Sequence, residues 1–309
     1  IAKGNTMNGT PSDPTGIKSP SDIKLELKYY MFDWDDNILH MPTRIHLERK
    51  VGEGWEPYDV STAEFARIRR DTVNYRPREG DWDKAFIDFY DVGVRGEDVF
   101  LEDTMIALAP VIAGHEQGAP SFESFRQALI EGRLFAIITA RSHSSRGIRK
   151  GVEYFIQHVL TNAERATMVA NLRAYIERFD GRPATMSDEE VIANYLNLNR
   201  YHGVTSPEFE KKMGRKVGGS ESPEHAKQVA IKDFVQHVIA LISGTGVREP
   251  ISIGFSDDDR KNVQAVQEFI ADELKKEFPH IKFVVYDTSD PGRPNGHKVV
   301  IEDGQAHDA

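Results

Sequence analysis

Four short apolar runs separated by helical patterns constrain this chain more than any other feature. They are Tyr29-Tyr30-Met31-Phe32, Leu134-Phe135-Ala136-Ile137-Ile138, Ile251-Ser252-Ile253-Gly254-Phe255 and Phe283-Val284-Val285-Tyr286. Near-continuous apolar runs of this length suit strands buried on both faces, as in a parallel sheet. The intervening patterns read as helices. In Ser121–Gly132, Ser121 stands as a cap, Phe122, Phe125 and Leu129 form a face, and Gly132 ends the pattern. From Ser222 to Gly244, a serine cap and Pro223 precede a stripe of Val235, Val238, Ile239 and Ile242. A third pattern follows Asn262. Strands alternating with helices predict an α/β fold: a doubly wound, Rossmann-like parallel sheet.

Two stretches exceed what a single crossover needs. Residues 41–120 separate the first and second runs, and residues 145–220 follow the second. Both are read as largely helical insertions, the first as a cap over the sheet's edge, because long additions to compact folds tend to be lids or binding surfaces. The expected organisation is a leader over residues 1–22, a core of 23–40 and 121–309, the 41–120 insertion, and a helical insertion at 145–220 inside the core. The final Gly-Gln-Ala-His-Asp-Ala reads as a loose tail.

Chemistry-bearing residues sit where the runs end. In a parallel sheet the carboxyl ends of the strands face the ligand crevice. The first run enters Asp33-Trp34-Asp35-Asp36-Asn37. Two carboxylates in such a place can divide labour, Asp33 as nucleophile and Asp35 as proton donor and acceptor. The second run ends in Thr139-Ala140-Arg141, whose hydroxyl can bind a phosphate oxygen without adding negative charge. The third enters Ser256-Asp257-Asp258-Asp259-Arg260. Adjacent carboxylates repel unless a cation is present, and an oxygen-rich site suits magnesium. A lysine that would neutralise this charge stands in the first turn of the helix before the third run: Lys227, with Lys232 as its rival. Each segment alone is also explained as an acidic turn, a polar strand end or a helix cap; the ordered set is not.

Composition narrows the partners. With 39 basic and 49 acidic side chains the formal charge is -10, which argues against nucleic acid or an anionic membrane as the main partner. No apolar run approaches the roughly 20 residues of a membrane span. The absence of cysteine excludes thiolate nucleophiles and zinc-thiolate sites. No Gly-rich nucleotide loop followed by Lys-Ser/Thr is present. The first residues carry no signal-peptide apolar core; the compartment stays open, with the cytoplasm ahead of a periplasmic or secreted location reached after cleavage of a leader.

Taken in chain order, Asp33-Trp34-Asp35-Asp36-Asn37, Thr139-Ala140-Arg141, the helix-borne lysine and Ser256–Asn262 resemble the motifs of the haloacid dehalogenase superfamily. The resemblance covers residues 25–40, 133–150 and 222–290 and leaves out the insertions. It implies a Mg2+-dependent phosphatase acting on a small phosphorylated substrate through an aspartyl-phosphate. Asp33 would be the nucleophile, Asp35 the acid/base, Thr139 the phosphoryl-binding hydroxyl and Lys227 the positive group. Magnesium would be held by the Asp33 side chain, the Asp35 carbonyl and Asp258, with Asp259 or Asp257 assisting. Asp35 separates the chain from true dehalogenases, which lack that acid. A phosphotransferase or mutase of the same superfamily and a non-catalytic binding scaffold are the alternatives. The sequence departs from the family in two places. Asn37 stands where Thr or Val is usual. Counting back from Val263 puts the first acid of the last motif at Asp258 and leaves Asn262 in the position of the second; an adjacent pair, Asp258-Asp259, would repair this.

Overall fold

The computed structural model describes residues 27–181, 185–214, 222–302 and 305–309; the expected leader at 1–22 lies outside them. The described residues open with β1 (Leu27–Phe32), then β2 (Ile45–Val51), β3 (Gly54–Val60), α1 (Thr62–Ile68), β4 (Tyr75–Pro77), α2 (Trp82–Ala85), α3 (Val99–Ile112) and α4 (Phe122–Ile130). It continues through β5 (Phe135–Thr139), α5 (Ser145–Val159), α6 (Asn162–Asp180), α7 (Asp188–Leu198), β6 (Arg200–Gly203) and α8 (Pro207–Met213). Last come α9 (Pro223–Ile242), β7 (Ile251–Asp257), α10 (Arg260–Phe269), α11 (Lys275–Glu277), β8 (Ile281–Asp287), β9 (His297–Glu302) and β10 (Gln305–Asp308).

Seven strands form the main sheet in the order β10-β9-β8-β7-β1-β5-β6. The pairs from β8 to β6 are parallel, and β9 and β10 are antiparallel additions. The fold is therefore α/β around a mostly parallel sheet, compatible with a Rossmann-like arrangement. Pleating divides β1 between two apolar clusters. Phe32, Phe135 and Ile137 join residues of α3 to α7, while Leu27, Tyr29, Met31, Ile253 and Phe283 join residues of α8, α9 and α10. Helices thus pack on both faces.

The four apolar runs fall in β1, β5, β7 and β8, apart from Leu134, which directly precedes β5. Three further strands were not expected. β6 (Arg-Tyr-His-Gly) is too short and polar to stand out. β9 and β10 form a hairpin on the sheet edge, so the tail expected to be loose is paired from Gln305 to Asp308. No helix of the described residues is long and apolar enough to cross a membrane.

The insertions are less helical than expected. Residues 41–120 contain a three-stranded antiparallel sheet, β3-β2-β4, with its own apolar cluster of Ile45, Leu47, Val60, Ala85 and Phe89. Pro57 in β3 hides that strand from a sequence reading, and its edge position explains how the proline is tolerated. α3 does not belong with this small unit. Its Phe100, Ala107 and Leu108 are part of the main core, and Phe100 comes so near Gly151 of α5 that an added Cβ would lie 2.5 Å from its ring. Residues 145–220, expected to be a helical insertion, also supply core strand β6.

Candidate active site

The chain leaves β1 outward to β5 and β6, then returns across the sheet to β7 and β8. The exits of β1 and β7 therefore diverge, and ligands of open α/β sheets bind at such a point. Asp33 directly follows β1, and Asp257 ends β7. Backbone and side-chain bonds lock the two exits together. The Asp33 amide donates to Ser256 O at 3.0 Å. Asn37, wholly buried, donates through Nδ2 to Asp33 O (2.9 Å) and Ser256 Oγ (2.9 Å), and its Oδ1 accepts from Thr288 Oγ1 (2.7 Å). Asn37 is thus a keystone joining the exits of β1, β7 and β8, a larger role than a neutral replacement for Thr or Val. The turn itself is tight: Ile38 N donates to Trp34 O, and Asp36 takes a left-handed φ of 54°, which aspartate tolerates.

Lys227 is the fifth residue of α9, in its second turn and not its first as the sequence suggested. Its side chain is 2% exposed. Nζ donates to Asp257 Oδ2 at 2.6 Å and lies 3.2 Å from Asp33 Oδ1. Burial opposes its charge, but Asp257 and Asp33 outweigh burial and hold it well above the usual lysine range, so it is an ammonium. Lys232 instead pairs with Glu277 on the surface. Geometry singles out Lys227.

One carboxylate oxygen from each of Asp33, Asp257 and Asp258 lies within 4.8 Å of the others. Burial pushes the Asp33 carboxyl up to about 7 against the pull of Lys227, with Asp257 and Asp35 adding to the rise. Asp258 is raised well above the carboxylate range by burial and then by Asp257 and Asp33. Three crowded acids with one ammonium carry uncompensated negative charge, and their hard oxygen donors fit a divalent cation of the magnesium class. Of the two acids expected to assist Asp258, Asp257 and not Asp259 is in this cluster. Asp257 is also tied by Asn262 Nδ2 at 3.2 Å. Asp259 lies outside the acidic cluster, its side chain turned to other partners: Oδ1 caps α10 by accepting from Lys261 N, and Oδ2 accepts from Arg69 of the insertion at 3.3 Å. The cluster is one of side chains, and that of Asp35 is not among them; the ligand expected from Asp35 is its backbone carbonyl.

Asp35 is held elsewhere. Arg141 Nε and Nη2 donate to its two oxygens, each at 2.7 Å. Nη2 also donates to Thr43 Oγ1 (2.7 Å), which donates to Asp103. Nη1 faces His143 Nε2 at 3.2 Å, so that nitrogen accepts and Nδ1 carries the proton to Asp91 Oδ1 at 2.8 Å. Burial keeps His143 below the usual histidine range, consistent with this neutral tautomer. Phe89 and Phe100 lie against the guanidinium, their ring centres 4.5 and 5.6 Å away. The loop carrying Arg141 and His143 rests on Gly203 of β6, where an added Cβ would lie 2.3 Å from His143 O. Thr139 ends β5 in the buried row beside β1, its Oγ1 accepting from Arg141 N at 3.4 Å.

Sequence reasoning gave Arg141 no partner; its spacing two residues past Thr139 at a strand end was the available signal. The insertion reaches the same loops. Thr62, the first residue of α1, donates to Asp36 Oδ2 at 2.6 Å, and Arg69, just past its end, pairs with Asp259. α1 thus spans from the first acidic motif to the last. No known family model, curated protein or solved structure matches the chain.

Proposed function

We propose that this chain is a magnesium-dependent phosphate-ester hydrolase of the haloacid-dehalogenase type, built on a doubly wound core and acting through an aspartyl-phosphate on Asp33. The observation that carries this reading is the meeting of Asp33, Asp257, Asp258 and Lys227 between the exits of β1 and β7. A structural ion pair needs one acid for one lysine; three acids are explained by a cation and an anionic substrate.

In this reading Asp33, Asp257 and Asp258 would hold a magnesium ion, which would supply charge neutralisation and Lewis acidity to the phosphoryl group. An Asp33 oxygen attacks phosphorus, forming the O–P bond as the bond to the leaving oxygen breaks. Lys227 screens the Asp33 charge from the incoming anion, and Thr139 donates to a phosphoryl oxygen. Asp35 protonates the leaving oxygen, then takes a proton from the water that attacks phosphorus and releases Asp33. Each Asp35 oxygen keeps a second acceptor position beyond its bond from Arg141, so Asp35 can orient that water while clamped.

The test is a panel of phosphate monoesters assayed with magnesium, with chelator, and with beryllium fluoride, which resembles the phosphoryl group on an aspartate. Turnover should vanish in chelator, return with magnesium and be inhibited by the fluoride. Full activity in chelator would exclude the reading. The same assay sorts the acids: Asp257→Asn and Asp258→Asn should each raise the magnesium concentration for half-activity by about tenfold or more, an effect of the size seen when support for a metal ligand is removed. Asp259→Asn should leave it within about threefold, because Asp259 serves a cap and an exposed ion pair. Reversal of that order would return Asp259 to the cation site.

A further inference from the structure

We propose that Arg141 is the positioning residue through which the 41–120 segment sets the aim of Asp35; this rests on the reading of Asp35 as the proton-transfer group. Arg141 is buried at 2% exposure and holds Asp35 by a two-point fork, which fixes the direction of the carboxylate as well as its place. Nearly everything that holds the guanidinium comes from the 41–120 segment. Thr43 accepts from Nη2 and is itself fixed by Asp103; Phe89 and Phe100 pack against the guanidinium; and Asp91 orients His143, which accepts from Nη1. Asp33 and Asp257 are fixed by core strands and Lys227, but the direction of Asp35 is fixed from the 41–120 segment: by Thr43, Phe89 and Asp91, and by Phe100 and Asp103 of α3, which packs in the main core. A change in the seat of that segment therefore reaches proton transfer without moving the nucleophile.

A double-mutant cycle tests this. Arg141→Lys keeps the charge but loses the fork, and Thr43→Val removes one anchor of the fork from outside the reacting groups. On a monoester with an unactivated leaving group, Arg141→Lys should lower kcat by about 10- to 100-fold, the scale of a misdirected catalytic group, with KM within about twofold. Thr43→Val should lower kcat less, by about two- to tenfold. In an Asp35→Asn background both substitutions should cost little more, because residues that act as a unit are strongly non-additive. If the losses multiply in that background, Arg141 supports the fold and does not aim Asp35. Should Arg141→Lys fail to fold, the Thr43→Val cycle separates the same two outcomes. The two readings fail separately: an Asp33→Asn variant that keeps its activity removes the aspartyl-phosphate mechanism, whereas a required Asp33 with a multiplicative cycle removes only the role of Arg141. A silent Asp35→Asn removes the acid/base role and this inference with it.

Discussion

Asp33→Asn is expected to lose turnover of phosphate esters by a factor on the order of 10,000 or more, as when other covalent nucleophiles are removed. It should also unfold no earlier than the parent in chelator. The amide fills the same space but offers no anionic oxygen to attack phosphorus. Stability should not fall, because Asp33, Asp257 and Asp258 crowd around one ammonium and burial already opposes the Asp33 charge. Replacing one of three crowded acids by a neutral amide relieves the repulsion that helps raise the carboxyls of Asp33 and Asp258, while Lys227 keeps its shorter bond to Asp257. The checks are steady-state turnover, mass spectrometry for a phosphoryl adduct present in the parent and absent in the variant, and thermal unfolding in chelator. Turnover above a small fraction of the parent's would remove Asp33 from the mechanism.

Lys227→Met is expected to abolish turnover and to destabilise the fold by about 3–5 kcal/mol, the range for breaking a buried ion pair from one side. Methionine matches the length of the stem, so packing is nearly kept. Asp33 and Asp257 would then stand buried without their cation. Magnesium should recover part of the loss, since an ion bound to the folded state stabilises it by mass action. Chemical denaturation with and without magnesium measures both effects. Lys232→Met is the control: its pair with Glu277 is exposed, and a change within about 0.5 kcal/mol is expected. A Lys227→Met variant that unfolds at the parent's denaturant concentration would refute the tight pairing.

The core strands were legible because burial on both faces leaves an unbroken apolar run, as in Phe135-Ala136-Ile137-Ile138. Edge strands carry no such mark. β6 is four residues long, β9 and β10 follow a Pro- and Gly-rich stretch, and β3 contains Pro57. β6 is defined by a partner distant in sequence, and β3 and β10 by pairing with the strand just before each of them. At the site, the residue types and the strand ends could be read, but not the direction of each side chain. Asp257, Asp258 and Asp259 are indistinguishable in a row. What separates them is that β7 runs one residue into the row, burying Asp257, while α10 begins at Arg260 and takes Asp259 as its cap. Arg141 could be given no partner because the residue that claims it, Asp35, lies more than a hundred residues away. Asn37 looked replaceable for the same reason: Ser256 and Thr288 meet it only in the fold.

The small sheet has a cluster of only five buried apolar residues, and α1, whose Phe65 and Ile68 pack on that cluster, meets the two acidic loops through a hydrogen bond at Thr62 and an exposed ion pair at Arg69. Units with little buried apolar contact open at lower free energy than the core they rest on. The seating of α1 on the two acidic loops is then a local unfolding equilibrium. Amides of β2 and β3 would exchange with solvent ahead of those in β1 and β7, and equal protection of the two sets would mean that the small sheet moves only with the whole molecule.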